Sequence, residues 1–199
     1  GVLFNNNGTL ICYPSNKNDI ESYTIPNETI SIADNAFDNS VFLKSIEMLD
    51  TLTKIGESAF LNCSSLITIK ISENINIIPK YTFENCSSIK SIYIPRKVNS
   101  IQECAFTGCS SLEEITVSPN NENYKSLSGI LYTKDGSTIV CYPVNYKQGG
   151  SYTIPDSTYS IIDYAFYCCS NLKSVNVPDT VNYIGKYAFY SCSSLASIK

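Results

Sequence analysis

The residues with the greatest chemical potential in this 199-residue chain are its nine cysteines. Cys63, Cys86, Cys109, Cys169 and Cys192 each stand three residues after a phenylalanine, at successive steps of 23, 23, 60 and 23. Thiols in such a series could form a metal or redox ladder. A cysteine at one position of an aligned stack reads more simply as a small buried apolar residue. Rungs about 4.8 Å apart leave disulfides between neighbours within reach by distance, under demanding bonding geometry. Cys12 and Cys141 share a second position and read as core, whereas Cys104 and Cys168 fall outside the columns and read as surface thiols. An odd number of cysteines cannot all pair internally.

Other reactive chemistry has little support. The chain contains no histidine, the commonest general base and metal ligand. Asp34, Glu57, Glu103 and Asp163 stand three residues before a phenylalanine, where acidic residues favour the start of a helical turn. Four glycosylation sequons begin at Asn7, Asn27, Asn62 and Asn85. Asn62 and Asn85 share a column with Asn39 and Gly108, which predicts a turn of left-handed backbone and explains them without sugar. Phosphate loops, nucleophile elbows and paired-cysteine zinc signatures are missing, so we expect no catalytic residues, no metal and no cofactor.

The elements that must position these residues follow from one period. Phe37, Phe60, Phe83 and Phe106 recur every 23 residues; Phe166 follows after 60 and Phe189 after another 23. Five residues before each stands Ile32, Ile55, Ile78, Ile101, Ile161 or Ile184. Six after comes Leu43, Leu66, Ile89, Leu112, Leu172 or Leu195, and nine after comes Ile46, Ile69, Ile92, Ile115, Val175 or Ile198. A segment this short cannot bury its own apolar face and must stack on copies of itself. Alternation such as Leu66-Ile67-Thr68-Ile69-Lys70-Ile71 predicts one parallel strand per repeat. The segment from Ile78 through Phe83 to Cys86 predicts a helical turn or two on the opposite side. The fold class expected is therefore an α/β repeat solenoid forming one domain over 1–199.

The gap of 60 resolves as 23 plus 37, which makes one repeat oversized. Its extra material, from Gly129 to Pro143, carries two alternating apolar runs around Asp135-Gly136, a hairpin signal. The start of the chain repeats this unit, with Asn7-Gly8 at the turn and Tyr-Thr-Ile-Pro at Tyr23–Pro26 matching Tyr152–Pro155. Hairpins thus replace the usual convex part of the repeat in units of about 1–26 and 118–155, the first one closing its end of the solenoid.

The pattern Ile-x4-Phe-x5-Leu-x2-Ile-x-Ile, with Ala-Phe-x-Asn-Cys-Ser-Ser-Leu at Ala59–Leu66 and Ile-Pro at Ile94-Pro95 and Ile154-Pro155, resembles the BspA-type leucine-rich repeats. The resemblance covers nearly the whole chain, hairpin units included. Departures are modest: Leu49 and Ser72 replace the strand-end proline, Thr82 replaces alanine and Ser40 replaces the first cysteine. The resemblance implies a surface-exposed or secreted, extracellular protein of a host-associated microbe, adhering to host cells, matrix proteins or other microbes. The mostly buried, odd set of cysteines suits a reducing interior instead, so the compartment stays open.

The positive functional signal is the polar side of the predicted sheet. One column reads Thr24, Glu47, Lys70, Tyr93, Thr116, Thr153, Asn176 and Lys199, and a second is nearly all serine and threonine. Eight strands at the usual spacing would give a face roughly 34 Å long. We expect this face, from Thr24 through Glu47, Lys70, Tyr93, Thr116 and Thr153 to Asn176, to bind a protein or glycoprotein, with Tyr93 as anchor. The alternative is a structural spacer with no ligand of its own. A net charge of −4 offers no footprint for nucleic acid or anionic lipid, and no apolar run approaches the ~18 residues of a membrane span. From the missing initiator Met we expect an excised or mature piece. The stop at Ile198-Lys199, in mid-strand, predicts either further repeats or self-association through an open end.

Overall fold

The computed structural model describes all residues, 1–199, and forms a β-solenoid of stacked repeats with a period of about 23 residues and no helix. Each rung contributes a strand to a first sheet and most contribute a two-residue strand to a second. On the first, Ser22–Thr24, Ser45–Glu47 and Thr68–Lys70 pair in parallel; so do Ser91–Ile94 with Glu114–Val117, and Gly150–Thr153 with Leu172–Asn176 and Ser197–Ile198. The register is set by the repeat: Ser22, Ser45 and Thr68 lie side by side, as do Ser151, Ser174 and Ser197. Ile46, Ile92, Ile115 and Val175 are thereby turned into the core.

The expected helical turns are absent, so the fold is all-β rather than α/β. The segment after each second-sheet isoleucine is instead a corner with two left-handed residues four apart: Tyr81 at φ 58° and Asn85 at 59° in one rung, Cys104 at 58° and Gly108 at 74° in the next. A helix needs consecutive right-handed residues, and this spacing interrupts every possible turn. The acidic column has a different task from the one expected. Asp34 accepts the backbone N–H of Glu57 at 2.8 Å, and Asp163 that of Lys186 at 2.7 Å, each tying its corner to the following rung.

Phenylalanines form the spine of the core. Ring centroids of Phe37, Phe60, Phe83 and Phe106 follow one another at 5.0, 5.5 and 6.0 Å, all stacked. Tyr13 extends this stack at 5.2 Å, and Tyr142 opens a second one with Phe166 at 4.8 Å.

Both hairpins are present. The second strand of each, Thr9–Cys12 or Thr138–Cys141, runs parallel to a second-sheet strand and belongs to that sheet. The strand Ile130–Thr133 of the internal unit lies between two cores. Leu131 packs into one apolar cluster, while Ile130 and Tyr132 pack into the other. This strand is a septum with both faces buried. The matching N-terminal strand, Leu3–Phe4, has both its residues exposed, Leu3 at 57 %. On the last rung Ile184 and Ile198 are about half exposed.

The internal turn is held by Asp135, whose carboxylate accepts the hydroxyls of Thr133 and Ser137 and the backbone N–H of Ser137. These bonds hold its pKa down to about 2, the Thr133 hydroxyl contributing most. A depressed carboxylate stabilises the fold above its unfolded pKa and loses that contribution as pH falls through the folded one. The turn amides of Ser137 and Thr138 should therefore keep their NMR shifts down to about pH 2. Loss of those shifts by pH 4 would show that Asp135 does not hold the turn.

Candidate functional site

The polar columns take their places by strand register. Thr24, Glu47 and Lys70 are lateral neighbours, Tyr93 adjoins Thr116, and Thr153 adjoins Asn176. Side chains on adjacent rungs pair with one another: Lys70 Nζ reaches Glu47 Oε1 at 2.8 Å, Thr68 donates to Ser45 at 3.1 Å, and Asn176 Nδ2 donates to Thr153 at 3.1 Å. The hydrogen bond and charge of Glu47 raise the pKa of Lys70. Tyr93, 41 % exposed, stands out from this face while Ile92 and Ile94 on either side of it are buried.

The face is not one continuous sheet. Glu114–Val117 and Gly150–Thr153 belong to separate sheets, because the hairpin unit takes the rung between them; the N–H of Ile115 bonds to the carbonyl of Gly129 at 2.7 Å. Thr24, Glu47, Lys70, Tyr93 and Thr116 thus lie on one side of the hairpin rung and Thr153 and Asn176 on the other, and strand pairing is also interrupted between Thr68–Lys70 and Ser91–Ile94. Lys147 spans it, 3.7 Å from Glu113 and 3.5 Å from Glu114. Periodicity alone missed this strap, because Lys147 belongs to no column. It also missed the Lys44–Glu21 pair at 2.6 Å, although both residues directly precede the serine column.

Four members of the cysteine column, Cys63, Cys86, Cys109 and Cys169, are buried, and Cys192 on the last rung is half-buried. Sγ–H of Cys63, Cys86 and Cys109 donates to the carbonyl of Phe37, Phe60 and Phe83 respectively, each at 3.1 Å. All cysteines are free thiols. A hydrogen bond with Cys63, then burial, pushes the Cys86 thiol up, and burial does the same for Cys109. Thiolate is the reactive form, so Cys86 and Cys109 are chemically quiet, whereas a hydrogen bond with Cys169 lowers the pKa of the half-buried Cys192 on the last rung. Cys104 and Cys168 do belong to columns after all: they occupy the two left-handed corner positions, at φ 58° and 60°, that Asn35 and Asn39 fill in the first repeat. Their count from the phenylalanine, two before and two after, was the available signal. A thiol reagent should modify Cys12, Cys104 and Cys168 in the native chain and Cys63, Cys86 and Cys109 only after denaturation. Peptide mapping that finds native Cys86 labelled as fast as Cys12 would contradict the buried ladder.

Asn62 and Asn85 adopt the left-handed geometry that their column predicts, both at φ 59°. Their amides are also engaged: Asn85 Nδ2 donates to Asn62 Oδ1 at 2.9 Å, and Asn62 Nδ2 to Asp38 at 3.4 Å. Asn7 and Asn27 are exposed. No group of three or more cysteine, aspartate or glutamate side chains is placed to hold a metal ion.

The family model described as the BspA type leucine-rich repeat region matches residues 12–128 and 143–199, in six copies. This chain belongs to the BspA-type leucine-rich-repeat family. Among solved structures it is similar to the pneumococcal vaccine antigen PcpA, with 26% identity and a TM-score of 0.83 over 95% of this chain. The match spans 54% of that antigen, so the present chain corresponds to about half of it. A leucine-rich repeat protein from Eubacterium ventriosum shares the fold at 22% identity and a TM-score of 0.70, over 98% of this chain and 68% of that one. A leucine-rich cell surface protein from Faecalibacterium prausnitzii does so at 24% identity and a TM-score of 0.51, over 100% of this chain and 74% of that one. A search among curated proteins returns no match. No helix is long and apolar enough to cross a membrane.

Proposed function

We propose that the polar sheet face centred on Tyr93 recognises a protein or glycoprotein, and that the chain is the binding part of a surface or secreted, adhesin-like protein. The observation that carries this reading is the placement of Tyr93. A large aromatic side chain is held out to solvent on a rigid strand whose neighbouring residues are buried, with Lys70 and Thr116 on the adjoining rungs. Aromatic anchors on rigid elements lose little conformational entropy on binding and dominate interface energetics. Likeness to a pneumococcal vaccine antigen and to a leucine-rich cell surface protein supports a place outside the cell. A repeat scaffold of this kind suits interaction rather than catalysis.

A spacer role is the second reading, and the paired charges favour it. Glu21–Lys44, Glu47–Lys70 and the Lys147 bridges satisfy one another across rungs, which suits a face that meets only water. Such exposed pairs are worth about 0–1 kcal/mol each and present little obstacle to a ligand. The test is binding of the labelled chain to intact host epithelial cells and to a panel of matrix proteins, beside a variant with Glu47→Ala, Lys70→Ala, Tyr93→Ala and Thr116→Ala. Saturable binding that weakens at least about tenfold in the folded variant supports recognition by this face. Absence of binding by the unmodified chain favours the spacer.

A further inference from the structure

The internal hairpin rung cuts one corner of the stack. Ordinary repeats place four residues between the second-sheet isoleucine and the ring that follows, as from Ile101 to Phe106. The hairpin rung places only Val140 and Cys141 between Ile139 and Tyr142. A recess one corner wide is left between the loop before it and the loop after it.

Backbone hydrogen bonding records what is missing. Each ordinary corner donates three N–H groups to carbonyls of the next: Tyr81 to Glu103 at 3.2 Å, Phe83 to Ala105 at 2.9 Å and Asn85 to Thr107 at 2.8 Å. The corners that begin at Asn35, Ser58 and Tyr164 repeat this pattern. At the shortened rung it stops, and the N–H groups of Cys104, Phe106 and Gly108 have no protein acceptor. Phe106 is only 6 % exposed. Across the recess the carbonyl of Ala165 takes the N–H of Tyr142, while that of Asp163 receives none. Buried main-chain groups without partners are uncommon and costly, so three donors at alternate residues along one wall form an open edge. A cleft of about 40 Å³ lies behind this edge, lined by Val140, Ile162, Tyr164 and Tyr167 among others. Through Glu103 and Asp163 it joins a shallow trough of about 390 Å³ that reaches Tyr183.

We propose that this notch is a docking site, distinct from the sheet face, for one extended segment of a protein partner that substitutes for the missing corner. Carbonyls of the segment accept hydrogen bonds from Cys104, Phe106 and Gly108, one of its N–H groups donates to Asp163, and a small apolar side chain enters the cleft. Main-chain pairing of this kind supplies affinity with little demand on sequence, and the cleft supplies the selection for a small residue. An open edge between loops that elsewhere stack at strand-like spacing has the width of one polypeptide backbone.

The probe is an acetylated and amidated peptide, Lys-Tyr-Thr-Ala-Glu-Asn, copied from the corner Lys80–Asn85 with Phe83→Ala so that its ring does not compete with Tyr142. Hydrogen exchange by NMR on the whole chain should show the amides of Cys104, Phe106 and Gly108 less protected than those of Tyr81, Phe83 and Asn85. The peptide should then slow exchange of the first three by about tenfold or more, the scale of one added hydrogen bond each. A depsipeptide version, with alternate backbone amides replaced by esters whose carbonyls are weaker acceptors, should lose most of this effect, as should the chain after maleimide modification of Cys104 in a Cys12→Ser, Cys168→Ser, Cys192→Ser background. Equal protection of both sets of amides in the free chain would overturn the proposal. So would shifts that the depsipeptide reproduces in full, or that survive modification of Cys104.

Discussion

Replacing Phe83 by alanine should destabilise the chain by about 3–5 kcal/mol, the range for deleting a fully buried aromatic side chain. The ring is wholly inaccessible and sits between Phe60 at 5.5 Å and Phe106 at 6.0 Å, with interplanar angles of 10° and 2°. Truncation removes its transfer free energy, leaves a cavity and breaks two stacked pairs. The rungs on either side cannot close in, because their backbones are fixed by hydrogen bonds from Phe60 to Thr82 and from Phe83 to Ala105. In a stack where each repeat touches only its neighbours, the damage falls on two interfaces. Urea unfolding should therefore lose cooperativity as well as midpoint, and native-state hydrogen exchange should localise the opening to the rungs around Phe83. The same substitution at Phe189, which is half-buried and stacked on Phe166 alone, should cost clearly less. Equal losses at the two positions would remove the stacked spine from the explanation.

Gly56→Ala is expected to cost about 1–3 kcal/mol or more by overpacking, although the position is on no catalytic or binding surface and needs no unusual φ. A Cβ at Gly56 would overlap the backbone of Ala33 and Asp34 and the carboxylate of Asp34 in the preceding corner. That close approach exists because Asp34 accepts the N–H of Glu57. Gly185 meets Asp163 in the same way, where Asp163 accepts the N–H of Lys186. Glycine thus follows each aspartate by one rung. Where the acidic residue is glutamate or absent, larger residues such as Pro79 and Gln102 occupy the glycine position. Thermal unfolding of Gly56→Ala, beside Gly56→Ala with Asp34→Ala, separates the causes. Partial rescue in the double variant would assign the clash to the carboxylate, and no rescue would assign it to the backbone. A single variant as stable as the parent would show that the corners can move apart freely.

The repeat itself was legible because its cause is local and repeated. Every column that must face the core carries an apolar residue in each copy, so Ile32, Phe37, Leu43 and Ile46 could be placed without coordinates. The left-handed corner at Asn62 and Asn85 was equally legible, since asparagine and glycine share that position for one conformational reason. The helical turns were misread because a short apolar segment fits a helix or a corner equally well by pattern. The second left-handed position, filled by Asn35, Ser58, Tyr81 and Cys104, has no common residue type to give it away. For the candidate face, sequence specified which residues share a column, while the pairing of Lys70 with Glu47 and the strap of Lys147 required distances.

Sequence by itself therefore determined the family, the period, the register of the strands and the direction in which Tyr93 points, because period-two alternation and a fixed repeat length leave those no freedom. Only the tertiary structure decided that a strand of the internal hairpin is a septum between two cores. The alternation of Ile130, Leu131 and Tyr132 between two cores depends on what stands on either side of the strand, and the open edge at Cys104, Phe106 and Gly108 is defined by a neighbour that is two residues short. Such features arise between rungs rather than within them, and a chain read one repeat at a time contains no record of the gap between two repeats.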